Sequence, residues 1–313
     1  MRKAALLYNP DSGGSRKRQR ELESALAILR SAGIEAELIP TRSPIHAGEE
    51  AHRAIAGGCD TIFACGGDGT IHNIVQVLAK TQTALAILPM GTANALAHDL
   101  GLPMSVPSAA KAVVGGKLRR VALGRISYVD LNGRSAARYF VIAAGMGVDA
   151  HLFYQLRSEM KQRMGMGAYY AKAWHLWFSY SMPRFVAEFV TSGAGSPQTM
   201  SLTELLSVRI ANFGGVLREL APGASLQRDD MRLILCRTAS RAAYLAYVTR
   251  GLLGSRWSIP GIDVVSSPRV TCRYEDPAPQ GRIYVEADGE LLGTLPAELT
   301  IVPDALTLLG PSR

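Results

Sequence analysis

The amino-acid sequence predicts an α/β domain at the N-terminus followed by an antiparallel β domain. Two observations lead to this fold class. Apolar runs alternate with amphipathic stretches through the first ~120 residues, which is the rhythm of α/β folds. Near Leu118 the rhythm changes to β-like stretches separated by turn signals such as Asn132-Gly133. A chain of 313 residues is long enough for two domains of ordinary size.

The first region contains an ordered series of strand and helix signals. Leu22, Leu26 and Leu29 share one face of the first helix, and Gly33 ends it. The sequence predicts strands at Ala4–Asn9, Ile34–Ile39, Cys59–Ala64 and Ala84–Leu88, and helices after Gly14 and at Pro44–Ala56, Thr70–Leu78, Ala93–Leu100 and Ala109–Val114.

The second region is mainly β-like. Strands are predicted at Phe185–Thr191, Glu204–Ala211, Arg232–Cys236, Arg269–Tyr274, Arg282–Ala287 and Glu298–Val302, with one helical region at Gly167–Ser181. Within that helical region the stretch Tyr169–Phe178 is rich in aromatic residues and has basic neighbours. It fits a membrane interface, although core packing of Trp174 and Trp177 explains the same pattern.

Composition narrows the class of partner. The net charge of +8 and the pI near 9.5 suit polyanions such as phosphate substrates or an anionic membrane surface. Motifs of nucleic-acid binding are missing, so we expect no nucleic-acid partner. The four cysteines lack the spacing of a zinc site and are expected to be buried thiols. No membrane span and no signal peptide is visible, which predicts a cytoplasmic protein.

Two glycine-rich turns carry the functional signal. Gly66-Gly67-Asp68-Gly69-Thr70 and Pro89-Met90-Gly91-Thr92-Ala93-Asn94 each follow an apolar strand and open a helix. Glycine lets the backbone approach a phosphate group, and the N–H groups of a helix N-terminus attract it. Two such turns in successive βα units predict a site for a nucleotide polyphosphate.

Other nucleotide-binding motifs do not fit. No Gly-Lys-[Ser/Thr] follows either turn, which excludes a Walker A loop, and no GxGxxG follows the first strand. A third candidate turn, Asn9-Pro10-Asp11-Ser12-Gly13-Gly14, also follows a strand. Asp68 is unusual beside a phosphate, because its carboxylate repels the anion unless a cation lies between them or it orients other groups.

These motifs, in this order along almost the whole chain, resemble the diacylglycerol kinase catalytic-domain family, which includes soluble bacterial lipid kinases and sphingosine kinases. Leu100-Gly101-Leu102-Pro103, Gly147-Val148-Asp149-Ala150 and Asp288-Gly289-Glu290 extend the match. The resemblance implies a nucleotide domain related to phosphofructokinase and NAD kinase at 1–122. It implies a lipid-binding β-sandwich at 123–300, and 301–313 is a C-terminal segment expected to pack back on the first domain.

The resemblance also implies the site residues and the co-substrate, ATP with Mg²⁺, meeting the lipid in a cleft between the domains. Nucleotide-binding residues carried over are Asn9, Pro10, Asp11, Ser12, Gly13, Thr41, Gly66, Gly67, Asp68, Gly69, Thr70, Ile71, His72, Gly91, Thr92 and Asn94. The catalytic carboxylates are Asp288, Glu290 and Asp68, with Asp288 or Glu290 as the base for the lipid hydroxyl. An ordinary Asp-Gly hairpin turn explains Asp288-Gly289 equally well.

The sequence departs from the family pattern at three places. Asn73 and Ala95 stand where the family often has carboxylates. Asp230 fits the aspartate of a structural metal site, but Met231 replaces the usual glycine there. Neighbouring arginines, including Arg228, offer Asp230 an ion pair instead of a metal.

The sequence therefore predicts an ATP- and magnesium-dependent lipid kinase, peripheral to the membrane, that phosphorylates diacylglycerol, monoacylglycerol or a sphingoid base. An NAD kinase-like enzyme is the nearest alternative, and a non-catalytic regulator that binds nucleotide or membrane is another. The sequence leaves the lipid acceptor and the oligomeric state open, a homodimer included.

Overall fold

The computed structural model describes residues 1–10, 16–148, 150–151, 181–191, 195–215, 219–254, 257–276 and 281–311. The predicted helical region Gly167–Ser181, with its proposed membrane-interface stretch, lies outside these residues except for Ser181. The chain forms two compact units. The first comprises 1–123, 212–216 and 302–313, and the second comprises 124–211 and 217–301.

The first unit is an α/β domain, as the sequence predicts. Its elements are β1 (Lys3–Tyr8), α1 (Arg16–Ser31), β2 (Glu35–Pro40), α2 (Pro44–Ala56), β3 (Thr61–Gly66), α3 (Asp68–Leu78), β4 (Ala84–Pro89), α4 (Ala95–Asp99) and α5 (Val106–Val114). The strands pair in the order β2-β1-β3-β4, all parallel. The chain returns to this sheet near its C-terminus, where Thr307 and Leu308 pair with β4, again in parallel.

Helices cover the sheet of the first unit. The six residues of β3 and the six of β4 are all buried, which requires cover on both faces. Helix α1 packs on α5, and α2 packs on α3. Local signals set the helix starts: Ser43 caps α2 by accepting a hydrogen bond from the His46 N–H at 3.1 Å, and Pro44 occupies its first turn.

The second unit is a β-sandwich-like domain, which confirms the predicted fold class. Its elements are β5 (Lys117–Asp130), β6 (Ser135–Phe140), β7 (Ala143–Gly147), β8 (Phe185–Phe189), β9 (Gln198–Leu202), β10 (Glu204–Val208), β11 (Met231–Cys236), α6 (Arg241–Leu252), β12 (Ile262–Ser267), β13 (Arg269–Tyr274), β14 (Tyr284–Ala287) and β15 (Glu290–Gly310). The first strand, β5, begins in the first unit, and the last, β15, ends there.

Strand β15 takes part in two antiparallel layers. One layer runs β12-β11-β10-β7-β14-β15, and the other runs β9-β8-β13-β15. Buried residues of both layers, such as Leu233 and Phe185, belong to one hydrophobic core. Asn132-Gly133 lies in the turn between β5 and β6, as its hairpin signal predicts.

Among the described elements, α6, β9 and β12 were not predicted from the sequence. Helix α6 has a clear start, because the Ser240 side chain accepts a hydrogen bond from the Ala243 N–H at 3.4 Å. Its apolar residues surround the whole helix instead of forming one stripe, which removes the usual periodic signal. All four cysteines are buried free thiols, as expected.

Candidate active site

The predicted nucleotide residues of the first unit gather at one edge of its parallel sheet. The carboxyl ends of parallel strands meet at the same edge. Asn9 and Pro10 follow β1, Thr41 follows β2, Gly67 follows β3, and Gly91 comes shortly after β4. Asp11, Ser12 and Gly13 lie outside the described residues. The fold therefore brings together at one edge the residues that the sequence spreads over more than eighty positions.

The two glycine turns touch each other through their backbones. A β-carbon on Gly67 would lie 3.1 Å from the Gly91 α-carbon, and one on Gly91 would collide with Gly67. A β-carbon on Gly66 would lie 2.6 Å from the Thr70 hydroxyl oxygen. The contact at Gly91 leaves no room for a side chain, and a side chain at Gly66 or Gly67 would force its neighbours to shift. Packing rather than a positive φ therefore favours glycine here.

Asp68 links the first turn to the helix that follows the second. Its carboxylate accepts hydrogen bonds from the Ala95 N–H at 3.2 Å and the Leu96 N–H at 3.5 Å. These N–H groups open α4, where a negative charge is stabilised by the helix dipole. Asp68 itself lies in the first turn of α3, where the dipole of that helix also stabilises its negative charge.

The second turn is shaped by its own asparagine. Asn94 has φ +50. Its side chain accepts a hydrogen bond from the Gly91 N–H at 2.8 Å and donates one to the Gly91 carbonyl at 2.9 Å. Both are bonds to the backbone of the turn, whereas the family resemblance implies a nucleotide-binding role for Asn94. Thr92 is exposed between them, where a bound phosphate can reach its hydroxyl.

Not every predicted nucleotide residue presents its side chain at the edge. Ile71 and His72 lie in α3 with buried side chains. Gly69 and Thr70 are half-buried at the start of the same helix. Glycine at the N-cap, Gly67, offers no side chain to the first N–H groups of α3, which suits a phosphate seat.

Thr41 lines a cavity of about 730 Å³ at the same edge. Its walls are Pro10, Ile39, Pro40, Thr41, Arg42, His46, Glu50 and Arg53. Within the wall, His46 Nε2 lies 3.2 Å from a Glu50 oxygen, and the Arg42 N–H donates to His46 Nδ1 at 3.1 Å. The side of this cavity that α2 forms was not predicted from the sequence. His46 and Glu50 are four residues apart, which puts them on one face of the helix.

The Asp288-Gly289 pair forms the turn of a hairpin between β14 and β15. Both residues have positive φ, +50 and +80, which is the backbone of a two-residue hairpin turn. The Asp288 carboxylate is buried and accepts hydrogen bonds from three consecutive backbone N–H groups, those of Val141 at 3.1 Å, Ile142 at 2.8 Å and Ala143 at 3.1 Å. The backbone of Asp288 and Gly289 is therefore that of a hairpin turn, as the turn signal in the sequence predicts. The Asp288 side chain holds this hairpin against residues 141–143, at the start of β7.

Two glutamates flank this turn. Glu290 is half-buried at the start of β15. Glu286, which the sequence analysis did not single out, is 2% exposed and accepts a hydrogen bond from the Gly289 N–H at 2.9 Å. Glu286 stands two residues before Asp288, and side chains two residues apart along a strand lie on the same side. This spacing is the sequence signal that could have identified Glu286.

Asp230 is held by an arginine rather than arranged for a metal. The Arg228 guanidinium donates to both carboxylate oxygens at 2.6 Å. The buried Arg209 donates to the backbone carbonyls of Arg228, at 2.8 Å, and of Asp230. Burial lowers the pKa of Arg209 to about 10, against the raising effect of Asp230. Both oxygens of Asp230 are occupied by a cation already, so the residues present do not fit a structural metal here.

A pocket of about 230 Å³ opens in the second unit between α6 and strands β10 to β12. Its lining residues are mostly apolar: Val148, Glu204, Leu206, Leu220, Ile234, Cys236, Tyr244, Tyr247, Val248 and Ile262. Burial raises the pKa of the Tyr244 hydroxyl and of the Cys236 thiol, and the neighbouring Glu204 carboxylate raises both further. The two groups therefore stay neutral at physiological pH. Apolar pockets leave no sequence pattern, so this one was not predicted.

Glycine-rich turns at the carboxyl edge of a parallel sheet are typical of nucleotide-binding α/β domains. Comparison with known families gives the same class. The diacylglycerol kinase catalytic domain matches residues 3–126, and the YegS C-terminal NAD kinase beta sandwich-like domain matches residues 142–310. The chain therefore contains a diacylglycerol kinase catalytic domain and belongs to the family of proteins with a YegS-type C-terminal β-sandwich domain.

Individual proteins of this family resemble the chain over nearly its full length. The diacylglycerol kinase of Bacillus subtilis is 29% identical, with 95% of this chain and 93% of the relative covered. A crystal structure of a Bacillus anthracis protein provisionally assigned as a diacylglycerol kinase has a TM-score of 0.75 at 18% identity, covering 98% and 96% of the two chains. Yeast NADH kinase has a TM-score of 0.51 at 9% identity, covering 100% and 84%, which is a likeness of fold alone.

Proposed function

We propose that this protein transfers the γ-phosphate of ATP to a hydroxyl group of diacylglycerol or of a related lipid, monoacylglycerol or a sphingoid base. The apolar pocket beneath α6 is the observation that carries the lipid part of the proposal. A kinase for a dinucleotide would need polar groups for its acceptor, whereas this lining suits hydrocarbon, and its volume of about 230 Å³ suits part of an acyl chain. The relative from Bacillus subtilis is itself named for diacylglycerol.

The glycine turns supply the phosphate site. Phosphoryl transfer depends on positioning and charge neutralisation more than on covalent chemistry. We propose that the open backbone of the turn at Gly67 and the hydroxyl of Thr92 bind the phosphates. The cavity at Thr41 is large enough for the nucleoside, since ligand pockets measure roughly 300–1,000 Å³.

We propose that magnesium binds together with the nucleotide. The described part of the chain contains no cluster of three or more His, Cys, Asp or Glu side chains suited to a metal. Magnesium bound through phosphates needs only one or two protein carboxylates. Asp68, beside the turn, is the carboxylate we assign to that role, and the ion would neutralise phosphate charge when bound.

Glu290 is the proposed general base. The choice between Asp288 and Glu290 was open in the sequence. Three backbone N–H groups already bind Asp288, which suits a residue that holds the hairpin in place. We therefore assign the lipid hydroxyl proton to Glu290, and we assign Asp288 to positioning.

A phosphorylation assay with labelled ATP tests this function. The purified protein would be given diacylglycerol, monoacylglycerol, sphingosine and NAD in parallel, with Mg²⁺ present. We expect labelled product from one or more of the lipids and none from NAD. Product from NAD alone would support the NAD kinase-like alternative. A protein that binds ATP but labels no acceptor would support the non-catalytic regulator, for which the missing carboxylates at Asn73 and Ala95 are the specific observation.

A further inference from the structure

Helix α6 exposes an apolar stripe on the side away from the protein core. Leu245, Val248 and Leu252 follow one another at spacings of three and four residues, which puts them on one helix face. Each is 41–42% exposed, and Leu253 just beyond the helix is 66% exposed. We call these four residues the outer stripe.

The inner face of the same helix is apolar as well. Tyr244 and Tyr247 are 8% and 7% exposed and line the apolar pocket. A helix that is apolar all round normally lies wholly inside a protein or a membrane. One side of α6 is instead exposed to solvent. The apolar side chains of the outer stripe are therefore not covered by other apolar groups of the described chain.

The segment that carries the outer stripe is basic, and one of its arginines, Arg237, is paired with Asp263 at 2.8 Å. The sequence from 237 to 257 contains four arginines and no acidic residue. Arg241 opens the helix in line with Leu245, Val248 and Leu252. Arg250 lies on the other side of the helix, where its guanidinium carbon is 4.3 Å from the centre of the Tyr247 ring and the side chain donates to the Trp257 carbonyl at 3.3 Å. Trp257 is itself 44% exposed. Arginines and a tryptophan beside apolar residues are the composition of an interfacial membrane helix.

The outer stripe also borders the pocket. Val248 belongs to the stripe and to the pocket lining at once. A lipid that leaves a bilayer beside this helix would therefore reach apolar lining without crossing water.

We infer that the outer stripe of α6 docks on an anionic bilayer, with its apolar side chains in the acyl region and Arg241, in line with them, at the headgroups. This inference rests on the proposed lipid kinase function, because it supplies the route by which the lipid reaches the pocket. It assigns docking to a helix other than the aromatic stretch at Tyr169–Phe178.

Vesicle co-sedimentation of the full chain tests the inference. The probes are phosphatidylcholine vesicles with and without phosphatidylglycerol. The test variant is Leu245→Ser with Leu252→Ser, neither of which lines the pocket. The matched control is Leu118→Ser with Leu131→Ser, two exposed leucines on other elements, 60% and 45% exposed.

We expect the wild type to bind the anionic vesicles more strongly, and added salt to weaken that binding. The test variant should bind roughly ten-fold less tightly, since two half-exposed leucines leave the bilayer. The control should bind like the wild type. Equal binding of all three proteins, each folded by circular dichroism, would overturn the inference. So would a wild type that sediments as a dimer without lipid while the test variant is a monomer, because a second copy would then cover the stripe.

A kinase assay separates this inference from the proposed function. The test variant should keep its activity on short-chain diacylglycerol dispersed in water and lose it on long-chain diacylglycerol in vesicles. A variant that is equally active on both would contradict docking through α6. A wild type that phosphorylates neither lipid would contradict the proposed function, and the sedimentation result would still decide the docking.

Discussion

Gly67 and Gly91 lie back to back, so that a β-carbon on Gly67 would come within 3.1 Å of the Gly91 α-carbon. Each glycine follows its own strand, and the strands β3 and β4 are neighbours in register, with Gly66 opposite Pro89. The two glycine turns are thus a single packed unit. We therefore expect a substitution in one turn to disturb the structure of the other.

Gly91→Ala should disrupt both turns at once. The added methyl group would collide with Gly67, and overpacking of this kind costs about 1–3 kcal/mol. We expect a lower melting temperature and weaker ATP binding, measured by thermal denaturation and by calorimetry. Gly115→Ala is the matched control, because a β-carbon there meets nothing within 4 Å. ATP binding by Gly91→Ala that equals that of the control would show that the close contact is unimportant.

Asp68→Asn should weaken nucleotide use without unfolding the protein. The amide keeps the shape of the side chain but loses the charge that faces the N–H groups of Ala95 and Leu96. Hydrogen bonds to a charged group contribute roughly 1.5–3 kcal/mol, so kcat/KM for ATP should fall on the order of ten-fold or more. Asp60→Asn, at a carboxylate that accepts from the Arg2 N–H, is the control. Unchanged kcat/KM in both variants would remove Asp68 from the site.

Asp288→Asn and Glu290→Gln should fail in different ways. Asp288→Asn loses the charge that three buried N–H groups surround, so we expect a clear loss of stability in urea denaturation. Glu290→Gln should keep wild-type stability and lose turnover while ATP still binds. Glu298→Gln, on the same strand and paired with Arg269, controls for the loss of a carboxylate. A fully active Glu290→Gln would contradict its assignment as the base.

Magnesium should not stabilise the second unit through Asp230. Both oxygens of this carboxylate bind Arg228, so a cation would first have to break that ion pair. Without nucleotide, we expect the same melting temperature in EDTA and in Mg²⁺ for the wild type and for Asp230→Asn. A magnesium-dependent rise that disappears in Asp230→Asn would restore the structural metal site that the family resemblance implies.

Leu206→Trp should close the apolar pocket to long acyl chains. Leu206 is half-buried and lines the pocket, so a larger ring can fill it at a modest cost in packing. We expect KM for long-chain diacylglycerol to rise while KM for ATP stays the same. Val190→Trp, at an exposed position outside the pocket, is the control. If the KM for long-chain diacylglycerol matched the control's, the acyl chain would have to bind elsewhere.

Local patterns in the sequence determined the fold class, most elements of the first unit and the two glycine-rich turns. These features depend on neighbours along the chain: alternating apolar periodicity, and glycines between a strand and a helix. Helix α2 was predicted with its observed bounds, Pro44–Ala56, because a proline and a double glycine mark its two ends. Asp288-Gly289 was likewise recognisable as a turn signal.

Only the tertiary structure decided which side chains meet across the chain. It brought Asp68 to the N–H groups of Ala95 and Leu96, and Asp288 to those of Val141 to Ala143. It also decided between the two alternatives that the sequence left open for Asp230, in favour of the ion pair with Arg228. It also formed the apolar pocket and left the outer stripe of α6 exposed. The reason is physical: burial and long-range hydrogen bonds depend on how strands and helices pack, and distant residues leave no periodic pattern that reports their contact.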